Sequence, residues 1–365
     1  MNFTQIDDWG FNLSSEEPLI IAGPCSAESR DQMLQISQDL PAKAVHILRA
    51  GIWKPRSKPN SFQGIGTAGL EWLKEASLNS GIPCTTEVAT TDHVQQALKA
   101  GIDILWIGAR TTVNPFYIQE IAESLKGVDI PIMIKNPINP DLDLWIGGIE
   151  RLYQAGIHKI LAIHRGFSTF KPEKYRNPPM WEIPIELKRR FPNLPLICDP
   201  SHIAGNDKLV AEISQMALDL DFDGLMIEVH QQPDKALSDN DQQLNPKQLE
   251  KILSELVIKH ADSQNIDFKI KIDQLRAKID ELDNEIISLL AKRMQTSRDI
   301  GLVKVENGVT VFQMDRWAHL YEDRVKSTIT AGLSEKFAKD FIQSVHKESI
   351  HQQLKGIKDQ SSQAK

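Results

Sequence analysis

Four residues spread over the chain, Cys25, His202, Glu228 and Asp239, offer a thiolate, an imidazole and two carboxylates. That donor set suits a borderline divalent ion such as manganese, iron, cobalt or zinc better than calcium or magnesium, which prefer oxygen alone. Singly, each residue has an ordinary use as a core thiol, a helix-capping imidazole or a solvated loop acid. A second set is cationic: Arg49, Lys54, Arg56, Arg110, Lys135 and Arg165. The formal net charge is −7, so cations gathered at one place point to a substrate with several negative charges. Phosphates and carboxylates are the natural candidates, because arginine binds both in bidentate fashion. A metal beside an anion cradle fits the joining of two phosphorylated metabolites better than hydrolysis alone.

Such chemistry requires a fold that brings distant residues together. From residue 19 to 260 one unit recurs, an apolar run followed by a polar loop and an amphipathic segment such as DHVQQALKAG or DKLVAEISQMAL. The runs are LIIAGPC (19–25), AVHILRA (44–50), PCTTEV (83–88), ILWIGA (104–109), PIMIKN (131–136), KILAIHR (159–165), LPLICDP (194–200) and GLMIEVH (224–230). Continuous apolar strands alternating with helices imply a parallel sheet buried on both faces. Eight such units predict an α/β chain built on a (β/α)8, or TIM, barrel. A doubly wound open sheet is the alternative, weakened because no glycine-rich dinucleotide fingerprint follows the first strand. In the barrel, functional groups collect where the strands end. Those ends read Cys25, Arg49, Glu87, Arg110, Lys135, Arg165, His202 and Glu228, each reactive or charged. Cys84 and Cys198 fall inside strand patterns and are assigned to packing.

Past residue 260 the pattern changes. The segment 261–268 reads as a polar linker, and 269–365 as a small all-α domain of three helices with a frayed tail, leaving 1–260 to the barrel. A first helix over 269–305 would run roughly 55 Å, too long for this small domain to cover alone, so a partner chain is expected to cover it. MNFTQIDDWG has neither a basic nor an apolar leader region, and no apolar run of membrane-spanning length occurs. A cytoplasmic enzyme is therefore expected. The acidic balance gives no reason to expect nucleic acid or membrane as partner.

Five stretches, GPCSAES, LRAGIWKPRSKPNSFQG, IGAR, CDPSH and IEVHQQPDKALSDNDQQL, closely resemble type I 3-deoxy-D-arabino-heptulosonate 7-phosphate (DAHP) synthases of the beta subclass. The resemblance implies metal-dependent condensation of phosphoenolpyruvate with erythrose 4-phosphate. It places one divalent ion on Cys25, His202, Glu228 and Asp239. Phosphoenolpyruvate falls to Arg110, Lys135 and Arg165, with Arg49 and Lys54 beside them and Glu87 on the same rim. The aldose phosphate falls to Arg56 and Ser57, and Lys54 is the candidate for assisting protonation of the aldehyde oxygen. The related 3-deoxy-D-manno-octulosonate 8-phosphate synthases, which typically lack the KPRS-type loop, are the alternative. Two departures stand out: Asn136-Pro137 replaces Arg-Gly, and IHRGF replaces ERG.

The stretch LRAKIDELDNEIISLLAKR resembles the all-helical chorismate mutases. The match implies rearrangement of chorismate to prephenate by Arg276, Arg293, Lys304, Arg316, Ser349 and Gln353, with Lys304 and Gln353 at the ether oxygen. Arg293 and Lys304 are 11 residues apart, about three turns, and share a face. Arg276 lies about 25 Å along the helix and roughly 100° around it, which suits the site of an antiparallel partner in a homodimer. Gln313 and Trp317 stand where some relatives have acids, so a non-catalytic sensor of prephenate or chorismate is the other reading. With the first strand at residue 19, feedback by prephenate is expected to act through the barrel surface or the helical domain. Both activities belong to the shikimate pathway of aromatic amino-acid biosynthesis.

Overall fold

The computed structural model describes the chain except residues 12, 15–16, 42, 55–61, 171–173, 260–264 and 364–365, together with the side chains of 360–363. Arg56 and Ser57 lie outside the described residues. The chain divides into two compact units, Met1–Ala261 and Asp262–Lys365.

In the first unit eight parallel strands close into a barrel: β1 (Leu19–Gly23), β2 (Ile47–Arg49), β3 (Cys84–Val88), β4 (Ile104–Ile107), β5 (Ile132–Lys135), β6 (Ile160–His164), β7 (Leu196–Cys198) and β8 (Gly224–Glu228). Each strand pairs with the next, and β8 returns to β1 with Met226 opposite Ile21. The continuous apolar runs conceal a period of two. Ile21, Ile47, Trp106, Met133, Ile163 and Met226 form an inner core. Their neighbours Ala22, Leu48, Leu105, Ile132, Ala162 and Leu225 pack outward against the helices. Alternate residues of a strand face opposite sides, and in a barrel both sides are dry.

Three features differ from the expectation. The strands stop sooner, so Cys25 and Arg165 sit just beyond them, as do Arg110 and His202. Arg110 occupies the one-turn helix Ala109–Thr112, and His202 the short helix Pro200–Ala204. That helix begins at once because Asp199 caps it, accepting a hydrogen bond from His202 N–H, and Pro200 is already set for its first turn. Finally, the N-terminal turn Ile6–Trp9 buries Ile6 and Trp9 in the inner core. Thr4 N–H donates to His158 O and the Gln5 amide to Asn193 O, which ties this plug to the chain ahead of β6 and β7.

The second unit consists of three helices, Ile266–Glu306, Met314–Thr330 and Glu335–Gln363. The first begins inside the expected linker. The last runs through most of the expected frayed tail. Long helix and third helix approach closely at Gly301, where a Cβ would lie 2.8 Å from the Gln353 backbone. The long helix keeps Phe268, Leu275, Ile279, Leu282, Ile286 and Leu289 about half exposed or more.

Candidate active sites

The C-terminal rim of the barrel holds a buried polar cluster centred on Glu228. Its Oε1 accepts from Arg49 Nη2 at 3.0 Å and its Oε2 from Gln242 Nε2 at 2.7 Å. Both Arg49 and Glu228 are buried, where an unpaired charge would be strongly destabilising. His202 Nδ1 lies 2.8 Å from Asp199 Oδ2, which turns Nε2 toward Glu228 Oε1, 3.8 Å away. Burial, assisted by Lys135, holds the imidazole below its ordinary pKa against the pull of Asp199 and Glu228. Neutral imidazole fixed at Nδ1 by a carboxylate is the form that ligates metals.

Across the cluster Cys25 Sγ is 3.4 Å from Asp239 Oδ2 and 3.0 Å from Lys54 Nζ, which also donates to Cys25 O at 2.8 Å. Burial and then Glu228 push the thiol up to about 12, and Lys54 opposes them. Asp239 has a left-handed backbone, φ 43°, a conformation unfavourable for an L residue. An ion pair to Arg176 Nη1 at 3.2 Å helps hold it there.

Two donors sharing one ion lie roughly 3 to 4 Å apart, and the pairs Cys25–Asp239 and His202–Glu228 have that spacing. Among the described residues no group of three or more such side chains already has the geometry of a metal centre. By donor chemistry the set fits a borderline divalent ion: the imidazole is neutral, both acids are anchored, and a thiol so raised needs a strong cation to ionise.

Beside this cluster opens a cavity of about 380 Å³ lined by Glu87, Arg110, Lys135, Arg165, Arg176 and His202, among others. Gly108 makes room for its wall, since a Cβ there would lie 2.0 Å from Glu87 Oε1. Arg165 falls to about 10 because it is buried and, next, because Arg176 and Arg110 crowd it. Such crowding is relieved by an anion. Lys135 Nζ holds Asp199 Oδ2 at 2.6 Å. Asp199 stays well below the usual carboxylate range: burial raises it, but His202 and Lys135 outweigh burial.

A second cavity, of about 350 Å³, lies in the helical unit and is lined by Arg293, Lys304, Arg316, Ser349 and Gln353. Arg293 donates to Ser349 Oγ, and Lys304 Nζ donates to Val311 O at 2.5 Å. Gln353 is buried with Oε1 unpartnered. Arg276 does not line this cavity; it is exposed, 3.7 Å from Asp273. Lys304 sits below its ordinary pKa through burial and then Arg316. If its ammonium serves a reaction in this cavity, the rate should fall as pH rises through a value below 10.5. Arg316→Gln should move that alkaline limb upward in a profile of kcat against pH, and an unmoved limb would contradict the assignment.

The family described as "DAHP synthetase I family" matches residues 12–263, and "Chorismate mutase type II" matches residues 275–354. The chain belongs to the DAHP synthetase I family. It is a bifunctional shikimate-pathway enzyme in which a chorismate mutase domain follows the DAHP synthase barrel. The phospho-2-dehydro-3-deoxyheptonate aldolase of Thermotoga maritima is 33% identical over 237 residues, covering 65% of this chain and 68% of that protein. The crystal structure of that organism's DAHP synthase superposes with a TM-score of 0.63 at 31% identity, covering 70% of this chain and 72% of the other. A 2-dehydro-3-deoxyphosphooctonate aldolase of Variovorax paradoxus is 26% identical over 276 residues, covering 68% of this chain and 92% of that protein.

In this DAHP synthase the two departures from the family pattern have structural uses. Asn136 is buried; its Oδ1 accepts from Arg165 N–H at 2.7 Å and its Nδ2 donates to Gly166 O at 2.9 Å. His164 sits among Trp145, Phe167, Trp181 and Phe222, and burial lowers its pKa to about 3, so it adds no charge. Sequence reasoning missed Arg176 and Asn177. Asn177 accepts from Arg165 Nη1 at 2.9 Å and donates to His202 O at 2.6 Å, joining the cavity to the cluster around Glu228. It also missed His346, whose ring stacks on Trp317 at 3.5 Å in the mutase cavity.

Proposed function

We propose that the barrel condenses phosphoenolpyruvate with erythrose 4-phosphate at the cluster and cavity described above. The observation that carries the assignment is their contiguity. A thiol, an imidazole and two carboxylates adjoin a cavity walled by Arg110, Lys135, Arg165 and Arg176. The cations hold the phosphate and carboxylate of phosphoenolpyruvate and fix its orientation, which lowers the entropic barrier to a bimolecular step. Cys25, His202, Glu228 and Asp239 would hold a divalent ion of the manganese, iron, cobalt or zinc class, which would supply Lewis-acid polarisation of the aldehyde. Burial lowers the Lys54 pKa, but Cys25, Glu228 and Glu87 outweigh it, so the ammonium is held above its ordinary value. A raised pKa favours hydrogen-bond donation to the developing alkoxide over release of the proton. Arg56 and Ser57, outside the described residues, are assigned to the aldose phosphate. Chelation should abolish condensation and leave mutase activity unchanged, with add-back of one divalent metal restoring the former. Full condensation after complete metal removal would overturn the ligand assignment.

In the helical domain Arg293 and Arg276 of the partner subunit hold the two carboxylates of chorismate, with Arg316 and Ser349 completing the cradle. Lys304 and Gln353 hydrogen-bond the ether oxygen, where charge develops as the bond breaks. The exposed stripe at 275, 279, 282, 286 and 289 repeats every three or four residues, the spacing of a helix seam covered by another helix. A second copy of this chain is its occupant, giving a homodimer. Prephenate, a dianion suited to the same cations, acts as feedback inhibitor of the barrel, provided it has different affinity for two arrangements of the chain. Condensation rates with and without added prephenate, in the full chain and in a chain ending near residue 260, test this. Equal inhibition of both, or of neither, would refute it.

A further inference from the structure

Trp106 lies in β4, fully buried in the inner core. Its register partners are Glu87 and Met133. Other members of that layer, Ile21, Met133 and Ile163 among them, are purely apolar side chains. Trp106 does three further things. The Arg49 guanidinium carbon is 5.0 Å from its ring centroid and the Lys135 ammonium 5.9 Å. Its indole N–H donates to Glu87 Oε2 at 3.2 Å.

Arg49 makes this arrangement chemically pointed. Its Nη2 is engaged by Glu228, but Nε and Nη1 are buried without a hydrogen-bond partner. Buried charged donors without compensation are strongly disfavoured. An aromatic face compensates such a charge electrostatically, most strongly when it is desolvated. Unlike a carboxylate in the same place, it does so without occupying the N–H groups. A ring face therefore keeps a buried guanidinium charged, placed and still able to donate to an incoming anion.

We infer that Trp106 is a positioning residue of the condensation, its ring face holding Arg49 and Lys135 for the anionic substrate while its N–H fixes Glu87. The inference rests on the reading of Lys135 as part of the phosphoenolpyruvate cradle and of Arg49 as standing beside it. Truncating a buried tryptophan would leave a large cavity and confuse placement with stability. The test instead uses site-specific incorporation of progressively fluorinated tryptophan at position 106 in the full, metal-loaded chain. Fluorination drains the ring face while nearly preserving shape and the N–H.

The expected result is a graded rise in KM for phosphoenolpyruvate, reaching about tenfold or more across the series. The change in kcat should be smaller, and melting temperature and mutase activity should be constant. Arg49→Lys is measured beside it, since lysine does not reproduce a stacked guanidinium. A flat fluorination series alongside a raised KM in Arg49→Lys would overturn the role of Trp106 alone. An unchanged KM in Arg49→Lys would remove the Arg49 reading and the inference with it.

Discussion

Lys54→Met is expected to lower condensation by about 10²- to 10³-fold, the usual effect of removing one donor aimed at developing oxyanion charge. The mutase activity of the same preparation should be unaffected and so reports on folding. The size follows from what Lys54 touches. It is buried, and its ammonium contacts both the Cys25 thiol and the Cys25 carbonyl. Removing it withdraws the larger of the two charges, Lys54 and Arg49, that oppose the rise in the thiol pKa, and so should also weaken binding of a divalent metal at Cys25. Methionine keeps much of the stem volume, so the loss is one of charge more than of packing. Activity within tenfold of the unsubstituted enzyme would show that Lys54 serves only to fill and pair.

The second large effect concerns the mutase. Arg293→Ala removes a guanidinium anchored to Ser349 and lining the cavity, with an expected loss of about 10²- to 10³-fold in chorismate turnover. Arg276→Ala should be similarly damaging although Arg276 is exposed and outside that cavity. Mixing the two inactive chains is the informative step. In a mixed dimer one site combines an intact Arg293 with an intact Arg276 from the other subunit. Random exchange should therefore restore about a quarter of the sites in a two-fold symmetric assembly. No recovery after demonstrated subunit exchange would exclude a shared site. Arg293→Ala should also relieve any prephenate inhibition of condensation, because both effects draw on the same cations.

The barrel was legible because a parallel sheet buried on both faces writes its strands as continuous apolar runs. The rim was legible for a related reason. Cys25, Arg49, Lys135, His202 and Glu228 interrupt or end runs that otherwise exclude polar groups, and barrel topology delivers every such interruption to one place. Trp106 escaped notice because it lies inside such a run, where an indole looks like any apolar filler; its N–H and ring face matter only once Glu87 and Arg49 are known to adjoin it. Arg176 and Asn177 escaped because they belong to a loop, and their partners Asp239, Gln242 and His202 are distant in sequence. The plug of Ile6 and Trp9 was hidden in a short polar-flanked turn with no periodicity to read. In the helical domain the cluster of Arg293, Lys304, Arg316, Ser349 and Gln353 followed from helix geometry and from matched positions. The His346–Trp317 stack did not, because it joins two helices through rings that each read as ordinary packing.

Whether the barrel joins phosphoenolpyruvate to a four-carbon aldose phosphate is tested most directly with the metal-loaded full chain, supplied with phosphoenolpyruvate and either erythrose 4-phosphate or arabinose 5-phosphate. Product mass and kcat/KM are recorded for each. The expected product is a seven-carbon keto acid phosphate, with erythrose 4-phosphate the better substrate. An eight-carbon product formed with higher kcat/KM from arabinose 5-phosphate would contradict it.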